Sequence, residues 1–389
     1  YELTMKDPVD AELLQQACDE ARPLAGYFFQ KVVWEKREAH LAPNDAPFRV
    51  RIGHVQPHIP EDTDDYQLAF SCEGNQIFFD WFHFLADGRG GSQLVTLVLK
   101  LYCNLRYGTA FACEPLVSDP PYDIEDILAR YPESQVENDM QKEVTQTSEA
   151  KPQLVRVRLD KQSLLDAALP LGVKPFSALM ALFCKAGREY FGRDDLMYNY
   201  SADARDAMGT PKALFNCVAS FQRPITVTEA DTLATLVPGV EADIRHNLTK
   251  EPKLFRVAEQ MGWVYQVYRQ RASLKIKKRV FQMGEYISGF PSDFWVSYQG
   301  DPFVPADPWR SILPISRPGC PPMVLPSAWS ARRSTALLPS ASRTRPRSPA
   351  MPLPSATRLS PQASRCWKPP SSAPRPIRPP TYRKQYESS

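Results

Sequence analysis

Phe82-His83-Phe84-Leu85-Ala86-Asp87-Gly88 is the stretch on which the reading of this 389-residue chain turns. β-favouring residues run into it from Gln76, and apolar residues at helical spacing leave it, so the H-x-x-x-D-G run falls on a strand-to-helix turn. Turns on rigid supports are where catalytic side chains concentrate. Histidine is also the side chain best suited to moving a proton near neutral pH. Asp87, four residues on, suits fixing the local backbone or pairing with a cation. The plain alternative is a histidine that only packs or hydrogen-bonds at a turn.

Working outward, Tyr66 to Cys72 and Gln76 to Phe82 predict a hairpin around Glu73-Gly74-Asn75. Ser92 to Tyr107 predicts the clearest helix, with Leu94, Val98, Leu101 and Leu105 on one face and Gly108 as its stop. Before the hairpin come a short strand at Glu2 to Met5, a helix capped by Asp10, and strands at Tyr27 to Glu35 and Phe48 to Val55. Residues 115–152 are polar and acidic, with one short helix at Ile124 to Tyr131. A second set follows. It has strands at Gln153 to Leu159, Leu196 to Ala202, Val218 to Val227 and Asp293 to Tyr298. Its helices lie after Asp160, at Ser177 to Phe191, at Asp231–His246 and at Lys253–Leu274. The alternation predicts an α/β protein of two lobes, each with strands and covering helices. We divide it as 1–115, N-terminal lobe; 116–152, crossing; 153–307, an incomplete C-terminal lobe; and 308–389, a tail.

Apolar residues make up 43% of the chain, enough for a sizeable core. No run of 18 apolar residues predicts a membrane span. The chain opens on Tyr1 rather than Met, which reads as a clipped start. Eight cysteines are scattered with no C-x-x-C pair, so neither a zinc site nor a disulfide framework is predicted, and a reducing, cytoplasmic setting is. The sequons at Asn199 and Asn247 have no consequence there. The net charge of +3 hides two regions. From Pro308 onward there are 12 Arg, 2 Lys, one acid (Glu387) and 18 of the 38 prolines, whereas 1–307 carries 33 basic and 43 acidic residues. Proline every few residues leaves the tail no helix or central strand. It reads either as disordered and basic or as a GC-rich gene translated in the wrong frame. A nucleic-acid role is disfavoured, because Trp309, Trp329, Trp367, Tyr382 and Tyr386 are too sparse for a stacking platform.

The H-x-x-x-D-G run, placed after a hairpin and before a helix, resembles the chloramphenicol acetyltransferase-like superfamily. That superfamily includes alcohol acetyltransferases, plant-type acyltransferases and the condensation domains of peptide synthetases. Condensation domains usually show two consecutive histidines; here the first is Phe82 and the second, His83, is kept. Asp203-Ala204-Arg205, at the end of a strand, is similar to the family's N/D-x-R sequence. Leu214-Phe215-Asn216-Cys217 resembles its asparagine-bearing segment, and Trp295-Val296-Ser297-Tyr298-Gln299-Gly300 its late S-x-x-G strand. The likeness covers roughly 1–300 and is nearest to bacterial alcohol acetyltransferase-like members. The D-F-G-W-G segment of plant-type members is absent, and the tail after Pro308 has no counterpart.

The resemblance implies a two-lobed fold of mixed sheets with covering helices and a site between the lobes. It implies a transferase moving a short acyl group, acetyl above all, from acyl-CoA to an alcohol, with His83 as general base. Asp87 would point away from the substrate and pair with Arg205, which as a plain surface charge would do nothing. Gly88 would supply backbone freedom, and Gly90 and Gly91 room for close approach. Asn216, Ser297 and Tyr298 are candidates for the oxyanion or substrate. Acyl-CoA and a small alcohol or amine are the expected partners, with no permanently bound cofactor, no metal and no nucleic acid. Lys275, Lys277, Lys278 and Arg279 either meet CoA phosphates or form a solvated charged face, the latter being the plainer reading. The rival functions are amide formation of the condensation type and a non-catalytic protein that keeps the fold.

Overall fold

The hairpin that delivers His83 lies at the middle of a four-stranded sheet. The computed structural model describes residues 1–55, 60–132, 155–287, 292–298 and 323–326, all within the unit Tyr1–Ser340. In chain order, β1 (Glu2–Thr4), α1 (Ala11–Leu24), β2 (Gln30–Trp34), β3 (Ala39–Pro43) and β4 (Arg51–Ile52) lead to β5 (Leu68–Glu73) and β6 (Gln76–Trp81). Helices α2 (Gly88–Tyr107) and α3 (Ile124–Arg130) follow. β5 and β6 pair antiparallel in the register Phe70↔Phe79 and Glu73↔Gln76. Gly74, at φ 58°, makes the two-residue turn between them. The sheet order is β1-β6-β5-β4, with β4 parallel to β5. Leu3, Leu14, Phe70, Phe79, Leu94 and Val98 fill the core between this sheet and the helix pair α1 and α2. Each such side chain contributes about 1.5–3 kcal/mol by leaving water. Asp10 caps α1 by accepting from the Glu12 and Leu13 amides, both at 3.1 Å. Gly108, left-handed at φ 64°, closes α2.

The second set comprises α4 (Lys161–Ala168), α5 (Pro175–Phe191), β7 (Asp195–Asp203), α6 (Arg205–Met208), β8 (Val218–Thr226), α7 (Leu233–Asn247), α8 (Lys250–Arg269), α9 (Leu274–Ile287), β9 (Phe294–Ser297) and β10 (Met323–Pro326). Its sheet runs β10-β9-β7-β8, with β7 antiparallel to β8 and parallel to β9. Tyr198, Tyr200, Phe221, Val237, Val240 and Phe294 form its core. The chain is therefore α/β with mixed sheets and covering helices, the class that the alternation of elements predicts. No single helix among the described residues is long and apolar enough to cross a membrane.

Several local expectations are corrected. The strand read over Tyr27 to Glu35 begins only at Gln30, because Tyr27-Phe28-Phe29 turn inward, with the Phe28 and Phe29 amides bonded to Ala25 and Gly26. Their β-favouring side chains serve core packing, Phe28 being fully buried. β3, which pairs with β2, was not expected, and Phe48 to Val55 shrinks to Arg51–Ile52. In the strand read at Gln153 to Leu159, residues 155–159 form none, and Val155 and Val157 stand 74% and 73% exposed. Apolar alternation without a partner strand or core does not make a strand. The single helix read to Leu274 breaks after Arg269, and α9 restarts at Leu274, whose amide bonds Lys36 O. The tail contributes β10, an edge strand paired with β9, with its proline at the end. The remaining tail and most of the 116–152 crossing lie outside the described residues.

Candidate active site

His83 stands exposed on a turn whose backbone is held from several sides. The Phe82 amide donates to Gln67 O at 3.0 Å and the Leu85 amide to Phe82 O at 2.9 Å. Trp81 Nε1 donates to Ala86 O at 2.7 Å, and the Tyr27 hydroxyl to Leu85 O at 2.6 Å. Burial first, with the nearby Cys217 and Asp87 adding to it, pushes the Tyr27 hydroxyl up to about 12, so it remains a donor at neutral pH. Leu85 and Ala86 are fully buried beneath the exposed ring.

Asp87 is turned away from that ring. Its Oδ1 accepts from the Gly90 amide at 2.9 Å and from Arg205 Nη2 at 2.8 Å. Its Oδ2 accepts from Arg205 Nη1 at 2.8 Å and from the Cys217 amide at 2.9 Å. The same residue thus caps α2 and receives a bidentate guanidinium. Arg205 spends its remaining donors on Ala213 O, Asp203 Oδ1 and Phe215 O, each at 2.9 Å. Its side chain is 1% exposed and that of Asp87 4%. Burial opposes the Arg205 charge, but the hydrogen bonds and charge of Asp87 outweigh it, leaving the guanidinium pKa above its ordinary value.

The carbonyls that Arg205 holds belong to the 213–217 loop before β8, and this loop carries Asn216 to His83. Asn216 Nδ2 lies 3.0 Å from His83 Nδ1 and 3.3 Å from His83 O. The closure depends on Gly90: a Cβ there would sit 2.1 Å from Leu214 O. Gly90→Ala is therefore expected to push the loop off α2, costing about 1–3 kcal/mol and lowering turnover as Asn216 moves. Thermal melts and steady-state kinetics on the purified variant check this; an unchanged melting temperature would contradict it.

Asp203 and Arg89 extend the cluster to the surface. Arg89 Nη1 meets Asp203 Oδ2, and Asp203 Oδ1 accepts from the Arg205 amide at 3.1 Å. Burial alone would raise the Asp203 carboxyl, but the Arg205 amide and guanidinium and Arg89 hold it below its ordinary value. A depressed carboxyl contributes stability that is present above its unfolded pKa and lost as pH falls through the folded one. Asp203→Asn should therefore flatten the loss of stability as pH falls below about 4, the ordinary carboxylate range, measured by urea unfolding at each pH. Burial pushes the thiol of Cys217, beside the cluster, up to about 12 despite the neighbouring Arg205.

The other sequence candidates are more dispersed. Gly88 opens α2 and is not among the positive-φ glycines. Its carbonyl accepts from the Tyr1 hydroxyl at 2.7 Å. Gly91 admits Trp81, whose ring a Cβ would approach to 3.2 Å. Ser297 ends β9, and Tyr298 stacks on Phe176 at 5.0 Å; among the described residues neither bonds His83 or Asn216. Lys277 departs from the solvated face read for the basic cluster: it is 5% exposed, and its Nζ donates to Arg37 O at 3.0 Å and to Tyr268 O. Lys275 and Arg279 are exposed. Tyr27, Arg89 and the Cys217 amide were not singled out from sequence; only Arg89, immediately after the motif, offered a signal there. Among the described residues no three His, Cys, Asp or Glu side chains gather as a metal site would require.

No family model matches the chain, and no curated protein does. Solved structures do. Polyketide synthase associated protein 5 from Mycobacterium tuberculosis is similar at 17% identity over 64% of this chain and 68% of that one, with a TM-score of 0.47. The first condensation domain of the CDA synthetase is similar at 14% identity, over 64% and 68%, with a TM-score of 0.47. F. sporotrichioides TRI101, complexed with coenzyme A and T-2, is similar at 12% identity, over 68% and 71%, with a TM-score of 0.42. Identities this low say nothing of substrate.

Proposed function

We propose that the chain is an acyltransferase that moves a short acyl group, acetyl above all, from acyl-CoA to a small alcohol, with His83 as general base. One observation carries this reading: an exposed imidazole on a turn that the Asp87–Arg205 pair locks from below. The pair spends its charge on backbone geometry. Among the described residues no carboxylate is bonded to His83, and burial pushes the thiol of Cys217, beside the Asp87–Arg205 pair, up. This favours direct attack by an activated acceptor over a covalent acyl-enzyme.

In this reading a ring nitrogen of His83 takes the acceptor's hydroxyl proton as its oxygen bonds to the thioester carbon. The carbonyl pair moves onto oxygen, where the Asn216 amide is the nearest donor to the base. Collapse restores the carbonyl, breaks the C–S bond and returns the proton from the ring to the CoA thiolate. Residues 1–115 and 153–307 are the proposed walls of the site, with Ser297 and Tyr298 as further substrate contacts. The six described cysteines are free thiols, which fits a reducing cytoplasm.

The test is to incubate the full chain with acetyl-CoA and panels of small alcohols and amines, then identify products by mass. Acetyl esters that form only with enzyme are expected. Amides alone would move the reading to a condensation-type reaction. CoA binding with no product from either panel would favour a non-catalytic protein.

A further inference from the structure

Successive residues of β7 face opposite sides of its sheet. Tyr198, Tyr200 and Ala202 belong to the core, so Asn199, Ser201 and Asp203 share the other face. Asn199 pairs with Gln222 of β8 on one side and with Trp295 of β9 on the other, which places both on that face too. Trp295 Nε1 donates to Ser201 Oγ at 2.8 Å and so pins the half-buried indole across the strands. Gln222 Nε2 donates to Ser292 Oγ at 3.0 Å. Asn199 is 6% exposed, and among the described residues its Oδ1 accepts from nothing. A buried carboxamide oxygen without a donor costs folding free energy, so the fold alone does not explain asparagine in the middle of this sheet.

The row leads away from the turn that bears His83. Asp203 meets Arg89 and Arg205, and Arg205 holds Asp87. Asn199 lies four residues back along the strand, about 13 Å at the rise of a β-strand. The side chains between select a ligand by their chemistry. An aliphatic alcohol would leave Asn199 as unpaired as it is now. A charged one would meet no counter-charge at Asn199, Ser201, Gln222 or Trp295. Sugar hydroxyls both donate and accept, which suits two carboxamides and a serine hydroxyl, and the C–H face of a sugar ring packs on an indole. We propose that this face is the acceptor subsite and that the acceptor is a carbohydrate of more than one ring, stacked on Trp295 with a hydroxyl on Asn199. The hydroxyl lying at His83 loses its proton to the ring as its oxygen bonds the acyl carbon. The C–S bond breaks, and the CoA thiolate takes that proton. Asn199 touches the substrate away from the reacting atoms and sets its class. The inference names the acceptor of the acyltransferase reading and rests on it.

The experiment titrates the full chain with maltose by calorimetry, without acyl-CoA, and then compares acetyl transfer from acetyl-CoA to maltose and to 1-butanol. The wild type should bind maltose and acetylate it with the higher kcat/KM. Asn199→Leu should weaken maltose binding about tenfold, the worth of one well-made hydrogen bond, and lower the preference over butanol by the same factor. Its melting temperature should rise, because the unpaired carboxamide is gone; a carboxamide that serves only the fold would do the reverse. No maltose binding by the wild type overturns the proposal, and that titration decides the matter even if the leucine variant does not fold. Equal binding by both proteins overturns it as well. Maltose binding that needs Asn199, in a protein that makes no ester from any acceptor, would sink the transfer but not the carbohydrate site. Butyl acetate from a protein that ignores maltose would sink the carbohydrate site alone.

Discussion

Replacing Arg205 with methionine is expected to lower folding stability by about 3–5 kcal/mol and to abolish acyl transfer. The guanidinium is 1% exposed and donates through every N–H it has, to Asp87, Asp203, Ala213 O and Phe215 O. Its removal leaves the Asp87 carboxylate buried with only two backbone amides, and two carbonyls of the Asn216 loop without donors. Lysine is not a substitute, because one ammonium cannot serve a bidentate carboxylate and two carbonyls in one plane. Pairing Arg205→Met with Asp87→Asn should recover part of the loss, because the orphaned charge goes too. Urea unfolding of the three variants checks this. A midpoint for Arg205→Met within the few tenths of a kcal/mol typical of surface changes would contradict it.

His83→Ala should have the opposite profile. The ring is exposed, and the residues that hold the turn are Phe82, Leu85, Ala86 and Asp87, so stability should scarcely move. Losing the base should cost about 10²–10⁴-fold in turnover. The cost should fall on kcat more than on KM, since the proton moves only as the transition state forms. An equal loss of stability and activity would mean that His83 serves the fold.

The part of the site written in one short run was legible. H-x-x-x-D-G between an apolar hairpin and an amphipathic helix needs only local periodicity to be placed on a turn. The segments bearing Arg205 and Asn216 were noticed through resemblance, since nothing in a span of 118 or 133 residues announces a contact. The engagement of Asn216 with the ring itself was not legible. It follows from Arg205 gripping the 213–217 loop and from Gly90 letting that loop approach, both long-range facts. Elsewhere the misreadings share one cause. Tyr27-Phe28-Phe29 and Val155 to Leu159 carry strand-favouring side chains. Whether such residues pair, pack or lie on the surface is decided by partners distant in sequence.

The most direct test of the account is release of free thiol from acetyl-CoA by the full-length wild type and by His83→Ala, side by side, with and without an alcohol acceptor. The account predicts release that requires both the acceptor and His83, with the two proteins unfolding at the same temperature. Equal release from both proteins, or release indifferent to acceptor, would contradict it.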